Sequence, residues 1–465
     1  MKMKKVIIIG GGIAGLSAGI YACKNGFDVT ILEKHHLAGG NCTSWKRGGY
    51  LFEGGMHWLA GSNPQDPLNQ LWRSVGALND KVTIHYNEPF IVYSHKGTPI
   101  RLFRDVNATE EHLLSLSPAD EKEIKLLCSN IRKVQKGEEV GPDFYELSRE
   151  QYAARFVHEG ISELIRSIPG EQQGMLMLLF TLGSLAGGDG GFPEGGSLPF
   201  AARMVETYTL SGGKILYQTQ ADRVITEHGK VTGVTAGKEF HPADAVIITS
   251  DTMSAGRFFD TPLQTSWLDE MQSVTEPTMA TLVSLGIRTD LKKYPERLIF
   301  KLDQPIHLGD QSYKYLSINN YASDPVYSPA GKSAVTIQLP GDTYAFWKTA
   351  RDENRYTEEK QKLQNAVSAA ISLQIPETKG KIEICDIATP LTYERYCGNW
   401  KGSWMTELKA GTGQEPYPPA AEGLNGVYFA GQRMMPPGGL PPALLSGIRA
   451  VQCLCEDMGV KFIDE

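Results

Sequence analysis

Val6-Ile7-Ile8-Ile9-Gly10-Gly11-Gly12-Ile13-Ala14-Gly15 decides how the rest of the chain is read. Four apolar residues running into a glycine cluster predict a buried parallel strand followed by a tight turn. Gly10-x-Gly12-x-x-Gly15 then opens a helix over residues 16 to about 25, which stops at Gly26. A second strand, over 28–32, ends at Glu33, eighteen residues beyond Gly15. In such a βαβ unit the first glycine permits the turn, the second lets backbone approach a pyrophosphate, and the third lets the helix lie close on the strand. The helix N-terminus offers free N–H groups and a positive dipole end to phosphates, and a carboxylate at Glu33 suits ribose hydroxyls. A dinucleotide site follows from strand, helix and acid together.

The residues after Glu33 choose the dinucleotide. Lys34-His35-His36-Leu37-Ala38-Gly39-Gly40 places a glycine pair just past the ribose acid, and Gly48-Gly49-Tyr50-Leu51-Phe52-Glu53-Gly54-Gly55 follows. This resembles the second phosphate-contacting loop of FAD enzymes of the glutathione-reductase type, whereas nicotinamide domains run on into another helix. That pattern often has Arg or Ser after the pair. Asn41 stands there in this chain.

At 465 residues the chain suits two interleaved domains better than one. A formal charge of −7 gives no general attraction to nucleic acid or anionic lipid. Seven scattered cysteines without CxxC spacing favour neither disulfides nor a metal site and suit a reducing, cytoplasmic setting. The basic start, Met1 to Lys5, is followed by too short an apolar run for a secretory signal.

Along the chain, a helix is predicted from about 64 to 78 and strands over 82–86, 90–94 and 100–103, the last two joined at Lys96-Gly97. Ser117-Pro118-Ala119-Asp120-Glu121 reads as a capped helix start, and helical periodicity persists to about 134 and again over 152–168. The most apolar run, 174–186, is too short to span a bilayer. It reads as a buried helix, or as one whose methionines and Phe180 line an apolar tunnel or its membrane-facing mouth. Strand and hairpin patterns over 214–249 return to the nucleotide domain, β-type runs at 281–287, 315–319 and 334–339 with a helix at 358–373 suggest a second sheet, and Tyr428-Phe429-Ala430-Gly431 leads to Gly438-Gly439-Leu440 and a final helix. The expected organisation is α/β: a Rossmann-type FAD-binding domain of the glutathione-reductase type (1–105, 191–262 and 405–465) interleaved with an α+β substrate-binding domain (a helical insertion at 106–190, then 263–404).

In order along its whole length, the chain resembles the phytoene desaturase, carotenoid isomerase and retinol saturase family of FAD enzymes, itself similar to flavin amine oxidases. The resemblance rests on the Gly10 fingerprint with Glu33, Gly39-Gly40, Gly49 through Trp58, Pro193-Glu194-Gly195-Gly196, Gly212-Gly213, Val224, Ala243 to Val246, Thr389-Pro390-Leu391-Thr392, and Tyr428 to Gly431. The His57-Trp58 ending is closer to the retinol saturase branch. Fingerprint and resemblance together name Gly10, Gly12, Ile13, Ala14, Gly15, Glu33, Lys34, Gly39, Gly40, Asn41, Val224, Gly431, Gln432, Gly439 and Leu440 as FAD-binding positions, with the Val224 backbone meeting the adenine. Gln432 replaces the family's ribityl-binding Asp, and Ser403-Trp404-Met405 replaces its aromatic–glycine pair.

The implied chemistry is hydride transfer at carbon–carbon bonds of an apolar polyene or isoprenoid, with electrons exchanged with a diffusing donor or acceptor, because only one dinucleotide fingerprint is present. A flavin amine or amino-acid oxidase is the alternative, and a purely structural use of FAD a third reading. His57 and Trp58 are the catalytic expectations: Trp58 as an apolar wall, His57 as a proton donor whose ordinary pKa lies near working pH.

Overall fold

The computed structural model describes residues 3–168, 174–261, 263, 265–408 and 415–464. Its first sheet has five parallel strands in the order Val427–Phe429, Ala245–Ile248, Lys5–Ile9, Asp28–Leu32 and Lys214–Leu216. Ile8 lies opposite Ile247 on one side and Ile31 on the other, all three buried. A parallel sheet covered on both faces needs such unbroken apolar runs. The helices Ile13–Lys24, Ser197–Leu210 and Leu440–Met458 share one buried cluster with it. The first and last of these approach so closely that a methyl on Gly447 would sit 2.6 Å from the Ala14 carbonyl oxygen. A three-stranded antiparallel sheet, Arg223–Glu227, Lys230–Ala236 and Glu239–Pro242, covers the other face through Val224, Val231 and Val234.

A second sheet has seven strands, in the order Ile382–Ala388, Ala280–Ile287, Ser333–Pro340, Gln311–Asn320, Arg297–Leu308, Ile91–His95 and Thr98–Leu102. The helix Tyr356–Gln374 packs on it through Leu363, Val367 and Ile371. The helices between Val106 and Ala186 form their own core, which reaches Ile299.

The structure departs from the expected elements in several places. The hairpin Ile91–Leu102, placed by the sequence in the first FAD-binding segment, belongs to the second sheet, with Val92 beside Leu298 in parallel register. Pairing between strands two hundred residues apart has no local signature. The helix expected over 152–168 is two helices, Arg149–Ala153 and Glu159–Ser167. The buried Asp120 carboxylate accepts the backbone N–H groups of Val157 and His158 and breaks the helix between them. Ser117, expected to cap the next helix, donates its hydroxyl to that same carboxylate instead. The strands Arg297–Leu308 and Ile382–Ala388 were not anticipated. The domain boundary expected at 262 lies outside the described residues. Among the described residues no helix is long and apolar enough to cross a membrane.

Candidate active site

A cavity of about 1890 Å³ runs between the two sheets. Ligand pockets usually span roughly 300–1,000 Å³, so this one has room for a dinucleotide and a second molecule.

One end is a glycine cradle. Gly10 has φ +106, a conformation side chains oppose, and a methyl on Gly15 would lie 2.0 Å from the Gly10 carbonyl oxygen. Those two glycines serve the backbone turn and the helix–strand contact. Gly12 differs from both. Its φ −74 and ψ −177 suit any residue, and a methyl there would meet nothing nearer than the Gly40 Cα at 3.8 Å. Neither strain nor packing demands glycine at this position, and the vacant space is cavity. The helix behind it begins without a side-chain cap, so its first N–H groups remain available to an anion. Gly39 (φ +126) and Gly40 (φ +61) fold over the same space, and the Gly39 N–H donates to the Gly11 carbonyl at 2.8 Å.

Glu33 is buried at the rim. One carboxylate oxygen accepts the Gly11 N–H at 2.7 Å and the other the His35 N–H at 2.8 Å. A carboxylate has about four acceptor sites, so two remain for ribose hydroxyls. On the far side Gly431 (φ +138) ends a parallel strand, and Gly439 (φ +104) starts the last helix, again uncapped. The Gln432 side-chain oxygen accepts the Gly439 N–H at 3.1 Å, so the amide that replaces the family's acid holds the second helix start in place.

His57 and Trp58 also line the cavity. The His57 Nε2 meets the Gln338 side-chain amide, and its ring stands edge-on to Trp404 with centroids 5.7 Å apart. Burial, and then the nearby Arg297 guanidinium, push its pKa down from 6.5 to about 3. Trp58 is 41% exposed, its ring 5.0 Å from the Arg297 Cζ. Leu178, Leu182 and Leu185 from the helix Met175–Ala186, with Ile91 and Ile168, give the cavity an apolar wall.

The sequence model of the flavin-containing amine oxidoreductases matches residues 13–455. The chain belongs to that family. The flavoenzyme is 23% identical over 493 residues to a 4,4'-diaponeurosporene oxygenase of Staphylococcus aureus, covering 96% of both chains. It is 23% identical over 475 residues to the all-trans-retinol 13,14-reductase of Danio rerio (85% of this chain, 76% of that one). A 1-hydroxycarotenoid 3,4-desaturase of Flavobacterium is 23% identical over 504 residues, covering 96% and 97%. Among solved structures, an oxidoreductase of Methanosarcina mazei aligns with TM-score 0.65 at 18% identity over 96% of this chain and all of that one. A putrescine oxidase with bound putrescine aligns at 0.63 and 14%, over 97% and 99%. The enzyme is an FAD-dependent oxidoreductase of mixed α/β fold.

Most of the residues named from the sequence come together around the flavoenzyme's cavity. Gly10, Gly12, Ile13, Ala14, Glu33, Lys34, Gly39, Gly40, Asn41, Gly431, Gln432, Gly439, Leu440, His57 and Trp58 all line it. Gly15 does not, and serves the packing of helix on strand. Val224 does not line it either. Its strand pairs it with Val234 inside the core, and Gln220 and Ala221 reach the cavity from that segment. Phe180 points away, 48% exposed, although Met177 and Leu178 of its helix are on the wall.

The surroundings of His57 disfavour the charged imidazole that the expected role as an acid near neutral pH would use. With a pKa near 3 the imidazole is neutral there, because burial and a neighbouring cation both disfavour its charged form.

Two features escaped the sequence reading. Asp251 and Arg433, both almost fully buried, form an ion pair at 2.8 Å beside the cavity. Arg433 also donates to the Ser403 hydroxyl at 2.6 Å, and Asp251 accepts the Trp400 N–H at 2.8 Å. The pair ties residues 400–403 to the Gly431 turn. Glu53, fully buried, accepts N–H groups of Gly55, Met56 and Ser197 and hydroxyls of Ser197 and Tyr327, thereby shaping the loop that carries His57. Neither pairing has a spacing that a sequence could reveal.

Proposed function

We propose that this flavoenzyme transfers hydride at carbon–carbon bonds of a long apolar polyene, as a desaturase, saturase or isomerase. The observation that carries the reading is the size of the cavity, about 1890 Å³, and its leucine-lined wall, continuous with the glycine cradle. The carotenoid and retinol names of relatives aligned over most of the chain support it.

In this reading residues 3–90, most of 191–261 and 415–464 form a Rossmann-type FAD-binding domain of the glutathione-reductase type. The second sheet and the helical insertion form the substrate domain. The Gly12 and Gly39-Gly40 backbones hold the pyrophosphate, Glu33 the adenosine ribose, and the Gly431 and Gly439 turns the flavin half. Bound flavin supplies a hydride acceptor or donor at N5. Trp58 gives the polyene a flat apolar wall and helps exclude water. The neutral His57 ring, held by Gln338 and Trp404, positions rather than protonates. Electrons come from, or pass to, a diffusing partner. Met177 and Phe180, 37% and 48% exposed, give the helix Met175–Ala186 an apolar surface, which supports peripheral contact with a membrane.

A flavin amine oxidase is the competing reading, favoured by the family's name and the putrescine oxidase fold. The cavity wall argues against it. Among the described residues eleven basic and five acidic side chains line it, an environment that repels an alkylammonium substrate. Purified holoenzyme is mixed anaerobically with all-trans-retinol, with a carotenoid, or with putrescine, in oxidised and in reduced form. Polyene should change the flavin's redox state and putrescine should not. The reverse pattern sinks the proposal.

A further inference from the structure

Arg297 begins the strand Arg297–Leu308 and lines the cavity, yet no carboxylate among the described residues pairs with it. Its Nε donates to the Asn319 side-chain oxygen at 3.2 Å, across the register pair that joins the two strands. Its Cζ lies 5.0 Å from the Trp58 ring centroid. The guanidinium is therefore held through its Nε and beside the Trp58 ring, and its two terminal nitrogens have no acceptor among the described residues. A half-buried cation without a counter-ion is unfavourable by itself, and a planar fork in this state matches a carboxylate in two-point geometry. The surroundings add no competitor. Asn319, Ser317 and Gln338 on the neighbouring wall are neutral. The acids on the cavity wall are occupied elsewhere or stand beyond ion-pair reach: Glu33 at the first cradle, Asp251 with Arg433, and Asp386 with Arg47.

We propose that the substrate is amphipathic, and that Arg297 receives a carboxylate at one end of it beside Trp58, while the apolar chain lies along the leucine wall. This deepens the polyene reading and rests on it for the tail alone. Arg297 is then a specificity-determining residue, and it separates acids from the matching alcohols or esters. An anchored carboxylate would also cancel the positive field that helps keep His57 neutral.

The test uses holoenzyme titrated with all-trans-retinoic acid, its methyl ester, palmitic acid and methyl palmitate. Binding is read from tryptophan quenching and from perturbation of the flavin absorption. Each acid should bind roughly tenfold to a hundredfold more tightly than its ester, the scale of a charge-assisted pair. Arg297→Gln should erase that difference while ester binding and flavin content stay unchanged. Arg297→Lys should keep part of it, because the charge remains and the fork is lost. Equal binding of acid and ester by the wild type overturns the proposal, as does a preference that survives in Arg297→Gln. Loss of flavin from both variants would assign Arg297 to the cofactor and likewise overturn it. If both acids are preferred but no polyene changes the flavin's redox state, the carboxylate anchor stands and the polyene reading falls.

Discussion

Gly12→Ala separates a glycine kept for a ligand from one kept for the fold. At Gly12 the backbone already has an ordinary conformation, and the added methyl has 3.8 Å of clearance from protein. Alanine there gains about 0.4–1 kcal/mol by restricting the unfolded chain. As the residue capping a helix it loses a comparable amount, about 1 kcal/mol or less. The flavin-free variant should therefore unfold within about 1 kcal/mol of the parent. Gly15→Ala is the contrast. Its methyl would lie 2.0 Å from the Gly10 carbonyl oxygen and 2.8 Å from the Thr249 hydroxyl, so sheet and helix must separate. Overpacking of this kind costs about 1–3 kcal/mol, and a backbone atom as the obstacle puts it at the upper end.

Flavin should stabilise Gly12→Ala much less than it stabilises Gly15→Ala. At a hundred times Kd, a ligand stabilises its protein by about 2.7 kcal/mol. A methyl in the pyrophosphate site that weakens binding tenfold to a hundredfold leaves only about 0.4–1.4 kcal/mol at the same concentration. Denaturant unfolding of both variants, with and without added FAD, measures all four quantities. If Gly12→Ala keeps the full stabilisation by FAD, or is as unstable as Gly15→Ala without it, the space beside Gly12 is not a phosphate site and the argument is wrong.

Glu33→Ala should weaken FAD binding by about 1–3 kcal/mol, the scale of a lost hydrogen bond to a charged acceptor, as measured by flavin fluorescence titration. Arg433→Met leaves Asp251 buried without its partner and should destabilise by about 3–5 kcal/mol, whereas replacing both residues with apolar ones should recover much of that loss; urea unfolding of single and double variants decides. His57 titrates near 6.5 in the unfolded chain and near 3 in the folded one, so between these values the unfolded state holds more protons and stability falls as pH falls. His57→Gln should flatten that part of the stability–pH curve, and an unchanged curve would show that His57 protonates freely in the fold. For the same reason kcat/KM between pH 6 and 8 should show no ionisation that disappears in His57→Gln.

Local chemistry made one half of this enzyme legible from its residues alone. A strand run, three glycines, a ribose acid and a second glycine pair lie within the first forty residues and act on neighbours in sequence, so a dinucleotide cradle could be read from spacing, and FAD in it from the resemblance of the second pair to FAD enzymes. The same holds for Gly431 and Gly439, whose positive φ values are properties of single turns. The other half depended on partners far apart in the chain. The hairpin Ile91–Leu102 joins its sheet through Leu298, Asp251 meets Arg433 across 182 residues, and Val224 turns into the core while Gln220 and Ala221 reach the cavity. His57 shows the difference most plainly. Its imidazole suggests a neutral-pH acid when only its residue type is known, but protonation depends on surrounding dielectric and charge. Only the fold brings Arg297 beside it and removes enough water to keep the ring neutral.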